Sequence, residues 1–163
     1  MFITYTESKE YVLKAADGTF LGSLSFESWH SYKASMTTQF AEFYDIQTKG
    51  FWGTTVVVTR NESEFAELKM NWKGHIVIDL TANGVGVDYI VKTNSIGQSQ
   101  YVLQNRQEQN LILLIPEYKW SSGHYNFRVE VNPDFQNDVN ETLVLLAAYS
   151  TIYIIMMSGA GTT

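Results

Sequence analysis

The last quarter of the chain carries a run that no water-exposed surface can present. It reads Leu143-Val144-Leu145-Leu146-Ala147-Ala148-Tyr149-Ser150-Thr151-Ile152-Tyr153-Ile154-Ile155-Met156-Met157, 15 residues without a charge. Asp138 followed by Glu141 reads as a helix N-terminus, with acidic residues where the macrodipole favours them, and Ser158-Gly159 reads as its stop. The pattern predicts one helix over about 138–158, apolar on every face and therefore buried on every face. A bilayer could bury it, but 15 residues rise only about 22 Å at 1.5 Å each, against a hydrocarbon thickness of roughly 30 Å. No Lys or Arg follows Arg128 to anchor such a span. The helix is read as a protein interior and not as a transmembrane segment, so the preceding residues must supply its wall.

Those residues repeat. Tyr44-Asp45-Ile46-Gln47-Thr48-Lys49-Gly50-Phe51 aligns with Tyr89-Ile90-Val91-Lys92-Thr93-Asn94-Ser95-Ile96 at an offset of about 45. Val56-Val57-Val58-Thr59-Arg60-Asn61-Glu62 likewise resembles Val102-Leu103-Gln104-Asn105-Arg106-Gln107-Glu108, and Trp72-Lys73-Gly74-His75 is echoed by Trp120-Ser121-Ser122-Gly123-His124. A weaker first copy runs from Phe2-Ile3-Thr4 through Tyr11-Val12-Leu13-Lys14 and Asp17-Gly18 to Trp29-His30. The copies occupy about 1–40, 41–86 and 87–133, and each reads as four strands. In the middle copy the strands fall at about Glu42–Thr48, Thr54–Arg60, Glu64–Asn71 and His75–Leu80. Asp17-Gly18, Lys73-Gly74 and Asn83-Gly84 supply the positive φ that tight reversals need. Three four-stranded units are too few for a propeller. Twelve strands can instead close into one antiparallel barrel, wider than the eight-stranded kind that side chains alone fill. A helix about 10 Å across suits that surplus. The expected fold is a single mainly β domain over 1–163, a closed barrel of about 12 strands around its own C-terminal helix.

Composition narrows the partners. Net charge is −6 with only 11 Lys plus Arg, scattered from Lys9 to Arg128, so nucleic acid is not an expected partner. There is no cysteine, which removes disulfides, thiolate metal sites and cysteine nucleophiles. The start, Met1-Phe2-Ile3-Thr4-Tyr5-Thr6-Glu7, lacks a basic and then apolar leader pattern, and a cytoplasmic location is expected.

Catalytic patterns are missing. No nucleophile elbow, phosphate-binding glycine loop or HExxH occurs, and Gly84-Val85-Gly86 lacks the rest of a dinucleotide fingerprint. Glu62 and Glu64 fall in a hairpin tip, and a filled lumen would remove the cleft an acid–base pair needs. His30, His75 and His124 each follow a tryptophan, but equivalent positions of a repeat are spread around a barrel, so no metal site is expected. The same recurrence predicts that Trp29, Trp72 and Trp120 pack at strand ends. Lys69 and Lys73 around Trp72, with Lys119 beside Trp120, are the basic–aromatic clusters and hence the weak candidate ligand-binding residues; a solvated face is the favoured account of them. No enzyme activity and no cofactor are expected.

Twelve strands around an apolar C-terminal helix resemble the tubby-like family and its relatives, the LURP-one-related proteins and phospholipid scramblases. The likeness rests on Lys49-Gly50-Phe51-Trp52-Gly53, Leu68-Lys69-Met70-Asn71-Trp72-Lys73-Gly74 and the helix Leu143–Met157, and the chain looks like a minimal bacterial-type member. The resemblance implies a non-catalytic binding module, for phospholipid headgroups or for protein. Two other readings stay open: a scramblase-like protein attached to membrane through Leu143–Met157, and a barrel with a small-molecule pocket. Calcium, which the scramblase likeness would bring, finds no loop here. In Asp138-Val139-Asn140-Glu141-Thr142 the position that needs glycine is Leu143, and the one that needs glutamate is Tyr149.

Overall fold

Alternating burial draws the wall. Buried Tyr11 and Leu13, Ala34 and Met36, Tyr44 and Ile46, Val56 and Val58, and Ile76 and Ile78 stand two residues apart, the signature of strands with one face inward. The structure, a computed structural model, describes residues 1–28, 30–80, 86–94 and 99–159. Among these, twelve strands follow in order. They are β1 (Phe2–Tyr5), β2 (Glu10–Lys14), β3 (Phe20–Phe26), β4 (Ala34–Thr38), β5 (Phe43–Lys49), β6 (Thr55–Arg60), β7 (Ser63–Met70), β8 (Ile76–Leu80), β9 (Val87–Thr93), β10 (Tyr101–Gln104), β11 (Asn110–Lys119) and β12 (His124–Val131). Each pairs antiparallel with its sequence neighbours, and β1 closes on β12 through Phe2 opposite Arg128 and Ile3 opposite Phe127. The ring leaves no strand edge open.

One turn device joins many of the strands. In the segments Thr6–Glu10, Ala15–Thr19, Thr38–Glu42, Asn71–His75 and Asn105–Gln109, the first N–H donates to the fifth carbonyl and the fourth N–H to the first carbonyl. The fourth residue has positive φ in every case: Lys9, Gly18, Ala41, Gly74 and Glu108. The strands of the middle third lie within one residue of their expected bounds. The Asn83-Gly84 turn and Ser95-Ile96 fall outside the described residues.

The lumen holds α1 (Glu141–Gly159). Every residue from Thr142 to Ile154 is buried, so no face of the helix meets water over that stretch. By length and composition α1 could cross a membrane; it lies inside the barrel instead. Its start differs from expectation. Pro133–Asp138 forms a 3-10 helix, Val139 is extended, and the cap is Asn140, whose Oδ1 accepts the Leu143 N–H at 2.9 Å. Asp138 is used up in the preceding segment, so α1 opens at Glu141.

Strand β3 comes closest to the helix. A Cβ on Gly22 would stand 2.7 Å from the Thr37 carbonyl oxygen and 2.9 Å from Leu145 Cδ1, so only glycine lets wall and helix approach this closely. At its other end α1 is tied by two phenols: Tyr149 donates to the Tyr32 carbonyl at 2.6 Å and Tyr153 to the Gly53 carbonyl at 2.9 Å.

Candidate functional site

Because every strand is antiparallel to the next, alternate turns lie at opposite ends of the barrel. The turns after β1, β3, β5, β7, β9 and β11 share one end. The helix starts at the other end, where Thr142 meets the Tyr44 hydroxyl, and finishes at the first, where Tyr153 reaches Gly53.

The sequence candidates all belong to that first end. Trp72 and Lys73 form the turn after β7, Lys69 lies one residue before the end of β7, and Lys119 and Trp120 lie where β11 turns into β12. Trp72 and Trp120 are 91% and 89% exposed, which overturns the expectation that they pack at strand ends. The tight turns lift each ring off the wall, so recurrence here marks a protruding tip and not a core position. Trp29 lies outside the described residues. Lys69 pairs with Glu67 at 2.5 Å, and the Lys73 ammonium sits 5.3 Å from the Trp72 ring centroid.

The structure adds residues that were not singled out as a site. Phe51 and Trp52, in the turn after β5, are 94% and 84% exposed and meet edge to face at 5.3 Å. Tyr118 meets Trp120 in the same way at 4.9 Å. The helix tip contributes half-buried Ile155 and Met156 and the exposed Met157.

Charge is divided between the two ends. Lys9, Lys33, Lys49, Lys69, Lys73, Lys92 and Lys119 all lie in the turns of this end or within three residues of its strand termini. Glu7, Glu10, Glu27, Glu67 and Glu117 oppose these seven lysines, leaving +2. Asp45, in a groove with Glu27 and Lys33, and Asp79, opposite Glu67, lie midway. Toward the far end ten carboxylates oppose Lys14, Arg60, Arg106 and Arg128, leaving −6 there, and the three groups sum to the net −6. The basic field is felt locally: partial burial, then Lys92 and Lys73, push the His75 pKa down. The ion pairs of the far end, Arg60–Glu42 at 3.1 Å and Arg106–Asp88 at 2.5 Å, hold its arginines close to carboxylates.

The lumen is not filled to this end. A cavity of about 480 Å³ opens between the helix tip and β1–β3 and β12, lined by Tyr5, Tyr11, Phe26, Ile152, Ile155 and Met156, with Lys9 and Glu27 at its rim. The expectation that a filled lumen leaves no cleft therefore fails here. The last turn of α1, from Ile155 on, lies partly exposed at the barrel mouth. His124 stacks on Tyr5 at 3.7 Å beside the cavity, and burial pushes its pKa down. Among the described residues no three His, Asp or Glu side chains gather as a metal ion would need.

Fold and site together define a class: a closed twelve-stranded antiparallel barrel that encloses its own C-terminal helix and carries exposed tryptophan tips at one end. No family model, no curated protein and no solved structure matches the chain.

Proposed function

We propose that the protein is a non-catalytic, tubby-like binding module that docks on an anionic phospholipid surface with the end of the barrel that carries the tryptophans and lysines. The observation that carries this reading is the pairing, at one end, of exposed Trp52, Trp72, Trp120 and Phe51 with seven of the eight lysines. Indole rings place an apolar body and a polar N–H at the depth of lipid headgroups. Each lysine held near an anionic surface contributes about 1 kcal/mol of attraction, which fades within a Debye length. The acidic far end is repelled by the same surface, so the charge separation also orients the molecule.

Three four-stranded repeats support the kinship. The β2–β3, β6–β7 and β10–β11 pairs each slip register by one residue, between Leu13/Lys14, Val58/Thr59 and Leu103/Gln104. Use of Leu143–Met157 as a membrane anchor is disfavoured, since withdrawing α1 would empty the lumen and expose the inner wall. A basic protein on the acidic end, where Phe20, Phe40 and Phe43 are exposed, is the second reading.

The test is co-sedimentation of the full chain with phosphatidylcholine vesicles, with and without phosphatidylserine. Association that needs phosphatidylserine and weakens as salt is raised is expected. The combined variant Trp52→Ser, Trp72→Ser, Trp120→Ser should lose at least tenfold in vesicle affinity with an unchanged melting temperature. Equal sedimentation of parent and variant, or no association of the parent at low salt, rejects the reading.

A further inference from the structure

Resting on that docking, we infer that the cavity at the helix tip takes one alkyl chain of a lipid drawn from the surface on which the barrel sits. Its volume of about 480 Å³ lies in the range of small-ligand sites. Tyr11 and Ile152 form a buried floor, and Tyr5, Phe26, Ile155 and Met156 the walls. Polar groups also line it, namely Ser28, His124 and the phenols of Tyr5, Tyr11 and Tyr125, but no charge reaches it beyond Lys9 and Glu27. The buried polar side-chain atoms left without a partner among the described residues, Asp79 Oδ1 and Thr151 Oγ1, do not line it. Phe26, Ile152, Ile155 and Met156 give it an apolar side suited to an alkyl chain. The rim carries one charge of each sign, Lys9 and Glu27, so it selects no anionic head and tolerates a zwitterionic one. The opening lies at the end that bears Trp72 and Trp120, so a chain lifted from the docked surface meets it directly.

The experiment is calorimetric titration of the full chain with lauroyl lysophosphatidylcholine, kept below its micelle-forming concentration. One molecule per chain is expected, with a negative heat-capacity change from apolar burial. Ile155→Phe and Met156→Trp replace half-buried side chains with larger ones that occupy the cavity. Whichever of them keeps the parent's melting behaviour should bind the lysolipid at least tenfold more weakly. The triple tryptophan variant should keep the titration and lose the vesicles. No saturable heat from the parent, or parent-like binding by both filled variants, overturns the inference. An intact titration beside absent vesicle association would overturn the docking reading alone and leave the alkyl site standing.

Discussion

Burial pushes the phenol of Tyr11 far above its ordinary range, with the neighbouring Tyr5 adding to the shift, and burial does the same to Tyr149, followed by Tyr153 and Tyr32. The unfolded chain releases these protons near pH 10, so above that pH the native state binds more protons than the unfolded state. Their contribution is complete below about pH 10 and is lost as the pH rises beyond it, at up to about 1.4 kcal/mol per pH unit for each group. Urea midpoints should therefore hold steady to about pH 9 and then fall. Tyr11→Phe should make that fall shallower by one group's share, and an unchanged slope would deny Tyr11 this role. At the same scale, two of the five matching turns were legible because Gly18 and Gly74 occupy the left-handed position. Lys9, Ala41 and Glu108 gave no such sign, because there the strands on either side impose the conformation on a residue that does not favour it.

Helix α1 was visible as an element because a run without charge, apolar on every face, has few places to go. Its register was not visible: the cap is Asn140, and the acidic Asp138 that suggested an earlier start belongs to the 3-10 segment. The approach of β3 was hidden as well, since Gly22 carries no mark that separates a packing glycine from a turn glycine. Gly22→Ala should cost about 1–3 kcal/mol, lowering the melting temperature by roughly 2–4 °C for each kcal/mol. Adding Leu145→Ala to Gly22→Ala should recover little, because the Thr37 carbonyl at 2.7 Å is backbone and remains in place. A fully restored melting point in that double variant would show that the side-chain contact alone sets the constraint.

At the scale of the molecule, barrel and helix are conditional on each other. Thirteen successive buried residues, Thr142–Ile154, give the strands their interior, and each large apolar side chain contributes about 1.5–3 kcal/mol of gross stabilisation. Deleting Asp138–Thr163 should leave an insoluble or molten chain, with lost near-ultraviolet circular dichroism and no cooperative melt. A sharp native-like transition in the truncated chain would refute the mutual dependence. The charge separation belongs to this scale too, since a net −6 summed along the chain conceals one end at +2 and another at −6, with Asp45 and Asp79 between them.

Residue order by itself determined that this chain must enclose the apolar run from Leu143, of which Leu143–Ile154 is buried and Ile155–Met157 reaches the barrel mouth, and that short strands with tight reversals would do the enclosing, because periodicity and turn chemistry are local properties. It also named Lys69, Trp72, Lys73, Lys119 and Trp120, but placed the tryptophans in the packing. Only the closed barrel decided that alternate turns stand side by side at one end, joining those five residues with Phe51, Trp52 and the remaining lysines of that rim. The cavity was likewise decided there, because its existence depends on how far a helix of fixed length reaches along a wall whose height is set by the pairing of all twelve strands.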